Sequence, residues 1–111
     1  MKELTASEIT EKAIKELEKR GFHVWRANNI AVRGRSFIGK RGCADITGYH
    51  KITGIRCECE VKKIGDILSE DQKTFLRSIK EANAHALVAY DNGNGGIYIS
   101  SLEEYFVKRI K

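Results

Sequence analysis

The segment IRCECEVKK, residues 55–63, constrains the fold of this chain more than any other part of the sequence. Apolar and charged residues alternate along it with a period of two, which predicts a β-strand. One face would carry Ile55, Cys57, Cys59 and Val61, and the other would carry Arg56, Glu58, Glu60 and Lys62. The sequence therefore predicts a strand that places two carboxylates and a lysine side by side, opposite an apolar face.

The rest of the chain predicts an α/β fold in which a mixed β-sheet is flanked by helices. Helices are expected over residues 6–20, 68–84 and 101–110, and strands over 22–27, 44–49, 55–63, 85–90 and 97–99. The predicted order is therefore α-β-β-β-α-β-β-α. The glycine-rich, basic segment 28–42 is expected to form a loop or an irregular hairpin. No proline, repeat or low-complexity segment interrupts the 111 residues, so we expect a single domain over 1–111.

Composition excludes several classes of protein. Hydrophobic residues make up 41% of the chain and charged residues 32%, which indicates a folded globular domain. No apolar run approaches the roughly 20 residues that span a bilayer, and the N-terminal residues lack a signal-peptide core. We therefore expect a cytoplasmic protein with no membrane partner. The cysteines are expected to be reduced core residues, because Cys57 and Cys59 are too close on one strand for a relaxed disulfide.

The positive charge of the chain is concentrated in its central third. The formal net charge is +5, and residues 21–63 hold nine basic against three acidic residues. A polyanion such as nucleic acid is the natural partner of such a region, although an effect on solubility alone is the alternative. Four of these cations lie in the segment 28–42 and are expected to contact DNA phosphates: Arg33, Arg35, Lys40 and Arg41. The alternative is that this segment is an ordinary surface loop.

The acidic residues of this basic region are Asp45, Glu58 and Glu60. Asp45 belongs to the preceding strand, and neighbouring strands lie about 4.8 Å apart, so Asp45 can lie beside Glu60. Two adjacent carboxylates repel each other unless a cation lies between them, and Mg²⁺ or Mn²⁺ prefers such oxygen ligands. Lys62 lies two residues beyond Glu60 on the same face. These groups, surrounded by basic surface, predict metal-dependent hydrolysis of a phosphodiester. The alternative is an ordinary solvent-exposed strand face.

Two motifs carry a resemblance to a known family. GCADI at residues 42–46, followed by ECEVKK at 58–63, resembles the PD-(D/E)xK nucleases, with Asp45 as the aspartate and Glu60 and Lys62 as the ExK. LSEDQ at 68–72 is similar to the glutamine element of the VRR-NUC (virus-type replication-repair nuclease) branch. The leading helix with GFHVWRAN and the strand HALVAY extend the likeness over nearly the whole chain. Ala44 departs from the family, which often has proline there.

The resemblance implies a restriction-endonuclease-like core and a site with named roles. Asp45, Glu60 and the carbonyl of Val61 would bind Mg²⁺ or Mn²⁺, Lys62 would serve the attacking water, and Gln72 would point toward the site. Gln72 also completes the pattern S-x-x-Q of a capping box, which is its structural alternative.

Family members often add a glutamate from the first helix. Glu8 and Glu11 both fit this position. Glu11 is preferred as the catalytic candidate, because Thr5 and Glu8 form another possible capping box.

The resemblance further implies a DNA endonuclease that acts on branched substrates. Small stand-alone members are similar to Holliday-junction resolvases and commonly form homodimers, which suggests a four-way junction or a flap as substrate. It also suggests a phage or mobile element as the source. The alternatives are a non-catalytic nucleic-acid-binding module with the same fold and a restriction-type endonuclease that cuts linear duplex.

Three further expectations concern single residues or pairs. Glu58 is expected to be a surface or supporting group rather than a metal ligand. Trp25 is expected in the core, with base stacking as the alternative. The histidines and cysteines lack a zinc spacing, so no zinc site is expected.

Overall fold

A computed structural model describes residues 3–27 and 43–110 of the chain. Its elements follow the predicted order: α1 (Ala6–Lys19), β1 (Phe22–Arg26), β2 (Ile46–His50), β3 (Arg56–Lys62), α2 (Glu70–Glu81), β4 (His85–Asp91), β5 (Ile97–Ser101) and α3 (Leu102–Ile110). The predicted α/β class is therefore confirmed. The expected loop at 28–42 and its four basic residues, Arg33, Arg35, Lys40 and Arg41, lie outside the described residues.

The five strands form one mixed sheet in the order β1-β2-β3-β4-β5. β3 and β4 are parallel because α2 connects them as a crossover, and the other neighbours pair antiparallel. β3 is the central strand of the sheet. Its start shifts from residue 55 to Arg56, since Ile55 lies just before the strand and is 39% exposed.

The helices cover the two faces of the sheet separately. The apolar stripe of α1, with Ile9, Ala13 and Leu17, packs on the face that carries Cys57 and Cys59. The opposite face is covered by α2, through Phe75, Leu76 and Ile79, and by α3, through Leu102 and Tyr105. β3 is therefore buried on both sides, which a period-two pattern does not by itself predict.

Burial of both faces of β3 changes the interpretation of its charged residues. Glu58 and Glu60 are each 2% exposed and Lys62 is 9% exposed, so the strand does not present an ordinary solvent face. Of the two roles expected for Glu58, surface group or supporting group, the surface position is wrong. Thr47 Oγ1 and Arg56 Nε both donate hydrogen bonds to Glu58 Oε2, which satisfies the buried carboxylate within the sheet.

The expectation that Trp25 lies in the core is also wrong, because its side chain is 46% exposed. On the edge strand β1, Phe22 and Val24 take the core positions against α1. Trp25 therefore points to the opposite face, where α2 and α3 lie over β3, β4 and β5. The periodicity of β1 identified a strand but not which of its faces a helix covers.

Cys57 and Cys59 are buried and not disulfide-bonded, as expected, while Cys43 is half-buried. Burial raises the pKa of the Cys57 thiol to about 12, with a further contribution from Glu58. Across residues 3–27 and 43–110, no helix has both the length and the apolar character that a membrane span requires.

Candidate functional site

An open pocket of about 600 Å³ lies where β1, β2 and β3 approach the N-terminal turns of α1 and α2. Five of the predicted site residues line it: Asp45 just before β2, Glu60, Val61 and Lys62 on β3, and Gln72 on α2. The lining consists of Ala6, Ser7, Thr10, Arg26, Ala27, Asp45, Glu60, Val61, Lys62 and Gln72. The fold therefore brings together residues that are separated by up to 27 positions in the predicted motif.

Asp45 is held at the entrance of β2 by the backbone on both sides. Its Oδ2 atom accepts a hydrogen bond from the Val61 amide at 2.9 Å, and its carbonyl accepts one from the Ala27 amide at 2.8 Å. Ile46 pairs with Cys59 in the antiparallel β2–β3 ladder. One residue further along this register, Asp45 lies opposite Glu60. The predicted proximity of the two carboxyl groups is present in the structure.

Glu60 occupies an unusual environment for a carboxyl group. Its Oε2 atom is buried and has no hydrogen-bond partner among the described residues. Burial, followed by the hydrogen bond with Asp45 and the charge of Asp45, raises the pKa of Glu60 from 4.5 to about 10. Lys62 and the Val61 backbone lower that pKa, but burial outweighs them. Glu60 therefore keeps its proton at neutral pH in the absence of a bound cation.

The carbonyl of Val61 adds a third oxygen to this group. The N–H and C=O of one strand residue point to the same side, and the Val61 amide points toward Asp45. The β2–β3 ladder ends at Ile46 and Cys59, so this carbonyl lies past the last paired residue of β2. Two carboxyl groups and a carbonyl therefore converge on the pocket.

Lys62 closes this part of the pocket wall. It is largely buried, and its charge lowers the pKa of Glu60, which indicates that the two groups interact. The next residue, Lys63, is exposed and does not line the pocket. Alternation along β3 thus selects one lysine of the pair for the pocket.

Gln72 combines the two roles that the sequence left open. Its Oε1 atom accepts from the Ser69 amide at 2.9 Å while Ser69 Oγ accepts from the Gln72 amide at 3.1 Å, which is a complete capping box. Gln72 also lines the pocket. The cap fixes the side chain at the first turn of α2, where Gln72 lines the same pocket as Glu60.

The structure does not bring the first-helix glutamates into the pocket. Glu8 accepts from the Thr5 amide in a second capping box, as its structural alternative proposed. Glu11, the preferred catalytic candidate, is 67% exposed, with its Oε1 atom 3.9 Å from Arg26 Nη2, and it does not line the pocket.

The first helix instead contributes Ser7 and Thr10, together with Arg26 from β1. Arg26 Nη2 donates to Ser7 Oγ at 3.2 Å, which holds the guanidinium at the pocket rim. Sequence reasoning missed these three residues. Hydroxyls at positions 7 and 10 share a helix face, but nothing in their spacing distinguishes them from an ordinary polar surface.

The oxygen atoms of Asp45, Glu60 and Val61 fit a hard divalent cation that takes few of its ligands from the protein and the rest from water. Within the described part of the chain, no group of three or more His, Cys, Asp or Glu side chains is placed to hold a metal ion. Two carboxylates and a backbone carbonyl suit Mg²⁺, which usually keeps several water ligands. The observation that favours a cation at this place is the buried Oε2 of Glu60, which has no hydrogen-bond partner within residues 3–27 and 43–110.

Comparison of the chain with protein-family models, curated proteins and solved structures found no match. The family resemblance therefore stays a prediction from the sequence motifs.

Proposed function

We propose that this protein is a Mg²⁺- or Mn²⁺-dependent DNA endonuclease with a restriction-endonuclease-like core of the VRR-NUC kind. The observation that carries the proposal is the buried Oε2 atom of Glu60, which lacks a hydrogen-bond partner among the described residues. The Glu60 carboxyl group interacts with Asp45, and both residues line the open pocket. Burial of an unpaired carboxyl oxygen is unfavourable unless another ligand satisfies it. A divalent cation satisfies both carboxyl groups at once.

Asp45, Glu60 and the Val61 carbonyl would hold the cation. When bound, the cation polarises the scissile phosphate and lowers the pKa of a bound water, which provides a nucleophile at neutral pH. Glu60 must lose its proton to become a ligand, because burial and Asp45 keep it protonated in the free protein. Cation binding and proton release at Glu60 are therefore coupled.

The cationic side chains of the pocket supply the remaining chemistry. The Lys62 ammonium group orients the attacking water and offsets the charge that develops on the phosphate oxygens. Arg26, fixed by Ser7 at the rim, binds a neighbouring phosphate. Gln72 is held by its cap at the pocket wall, where its side-chain amide positions the water or the phosphate.

The substrate and the assembly follow from the family resemblance and the charge of the chain. Branched DNA, such as a four-way junction or a flap, is the proposed substrate, and a homodimer would present two pockets to a two-fold junction. The excess of positive charge in residues 21–63, including Arg33, Arg35, Lys40 and Arg41, supports DNA as the polyanion.

A cleavage assay tests the proposal. The substrates are a four-way junction, a 5′ flap, a linear duplex and a single strand, each with Mn²⁺, with Mg²⁺ and with EDTA. We expect symmetric cuts in the junction that need the cation and vanish in Asp45→Ala. Glu60→Gln and Lys62→Ala are expected to lose cleavage while keeping DNA binding.

Two matched controls separate chemistry from stability. Glu58→Gln alters another buried carboxyl of β3 that does not line the pocket, and Lys63→Ala removes the exposed lysine next to Lys62. Both controls are expected to cut. Wild-type cleavage by Glu60→Gln would overturn the site assignment.

A second candidate is a non-catalytic nucleic-acid-binding module with this fold. It is favoured by the position of Glu11, which leaves the pocket with two carboxylates from the described residues rather than three. Such a module would bind all four substrates in EDTA as tightly as in Mn²⁺ and would form no product.

A further inference from the structure

Three aromatic rings are in contact on the part of the sheet formed by β1 and β2, on the face opposite α1. His23 and Trp25 on β1 and Tyr49 on β2 have ring centroids 5.3, 5.4 and 6.4 Å apart. All three are exposed, with Trp25 at 46% and Tyr49 at 42%. We call this group the aromatic platform. The ring planes are tilted by 53°, 59° and 74° to one another, so the three exposed rings form one continuous aromatic surface with ring faces and edges turned outward, rather than scattered surface residues.

The aromatic platform lies on the same face of the sheet as the carboxyl groups of the pocket. Asp45, just before β2, and Thr47 and Tyr49 on β2 alternate onto this face, and Thr47 and Tyr49 pair with Trp25 and His23. With about 3.3 Å per strand residue, Tyr49 lies about 13 Å from Asp45 and Thr47 about half as far. A nucleic-acid strand that places a phosphate at Asp45 therefore carries its next bases across the platform.

Charged groups beside the platform suit a strand of phosphates. Arg56 pairs with Tyr49 across the β2–β3 ladder, and its side chain is 58% exposed. Arg26 follows Trp25 directly, lines the pocket and is 51% exposed. Stacking rings flanked by cations are the combination that proteins use to bind unpaired bases without sequence preference.

We propose that the aromatic platform of His23, Trp25 and Tyr49 stacks the unpaired bases of a single-stranded segment next to the cleaved phosphate. The proposal rests on the proposed nuclease function and adds that, among the proposed substrates, a flap gains extra affinity because it has unpaired nucleotides at the branch. A base-paired duplex keeps its bases stacked on each other, so it gains nothing from the platform. The platform thereby gives selectivity for structure rather than for sequence.

Trp25 is the only tryptophan of the chain, so its fluorescence reports on the platform directly. The test titrates the wild-type protein in EDTA with a thymidine 12-mer, an abasic deoxyribose-phosphate 12-mer and a blunt duplex. EDTA prevents hydrolysis, and the abasic strand carries the same phosphates without bases. We expect saturable quenching by the thymidine strand and little or none by the abasic strand or the duplex.

Variants of Tyr49 test the same point by affinity. Tyr49→Ala is expected to weaken binding of the thymidine strand by roughly 5- to 150-fold, the range for one stacked base. Tyr49→Phe keeps the ring and is expected to bind as the wild type does. Tyr98→Ala is the matched control, because Tyr98 is an exposed tyrosine at 48% on β5, at the other edge of the sheet. Circular dichroism verifies that each variant is folded.

The outcomes separate this inference from the proposed function. Equal binding of the thymidine and abasic strands without quenching, or equal effects of Tyr49→Ala and Tyr98→Ala, would overturn the stacking role even if cleavage is intact. A blue-shifted Trp25 emission that depends on protein concentration and ignores DNA would assign the platform to a second copy of the chain and overturn the inference. Base-dependent quenching without any cleavage would support stacking and refute the nuclease.

Discussion

Glu60 is buried beside Asp45, and its carboxyl group favours the folded protein only while it keeps its proton. Its pKa is 4.5 in an ordinary environment and about 10 in the folded protein. Below pH 4.5 both states hold the proton, and the contribution to stability is complete. As the pH rises toward 10 the unfolded state loses the proton first, so the free energy of unfolding falls by up to about 1.4 kcal/mol per pH unit.

Glu60→Gln is therefore expected to remove this pH dependence. The variant should be more stable than the wild type at pH 8 and should show a flatter profile between about pH 5 and pH 9. Urea unfolding across this range measures the effect, and Glu58→Gln, which keeps Glu60, should retain the wild-type slope. Parallel profiles of wild type and Glu60→Gln would contradict the buried, protonated state.

For single residues, the sequence predicted which side chains lie close together better than it predicted which side chains are buried. Asp45 and Glu60 were placed together because a hairpin and a period of two fix which residues lie opposite each other. The burial of Glu58 could not be predicted, because it depends on α2 lying over that face. Likewise, the exposure of Glu11 depends on how α1 is rotated against the sheet.

Among the elements, α2 carries a residue with two roles that mutations can separate. Ser69→Ala removes the hydroxyl that accepts from the Gln72 amide, and is expected to lower the free energy of unfolding by about 1 kcal/mol with cleavage within twofold of wild type. Gln72→Ala is expected to lose similar stability and also about tenfold in cleavage rate, since it removes the pocket amide. Equal cleavage rates for Ser69→Ala and Gln72→Ala would show that Gln72 acts only as a helix cap.

The contact of β1 with β2 depends on Gly48. A Cβ atom built at Gly48 would lie 2.0 Å from the His23 carbonyl oxygen and 2.7 Å from the Val24 Cα, so backbone would have to move. Gly48→Ala is expected to lower the free energy of unfolding by about 1–3 kcal/mol, as overpacking does. Gly96→Ala is the control, because its new Cβ would meet the end of the flexible Asn92 side chain. Equal melting temperatures for both variants would contradict the close approach.

Element order and most helix ends could be predicted because local chemistry specifies them. The capping boxes at Thr5 and Ser69 start α1 and α2 just where their side chains accept the third amide of the helix. The position of Trp25 could not be predicted, since both faces of an edge strand fit the same alternation. Which face of β1 a helix covers depends on how the helices are connected to the sheet, and the pattern within β1 does not contain that information.

At the scale of the whole molecule, the basic charge of residues 21–63 makes a prediction about salt. Replacement of Arg33 and Arg35 by alanine is expected to weaken DNA binding on every substrate. It should also flatten the slope of log K against log salt by about 1.8, which corresponds to two lost phosphate contacts. Fluorescence anisotropy over a salt series measures this. Lys51→Ala and Lys63→Ala, exposed lysines of the same basic region, provide a comparison for a general loss of charge.

The account depends most directly on whether Asp45 and Glu60 hold a divalent cation. Titration calorimetry of Mn²⁺ binding at pH 7, in two buffers of different ionisation enthalpy, measures both the affinity and the protons released. We expect one site per chain and the release of about one proton from Glu60, with both lost in Glu60→Gln and kept in Glu58→Gln. Binding that releases no proton, or that persists unchanged in Glu60→Gln, would contradict the assignment of this pocket as the metal site.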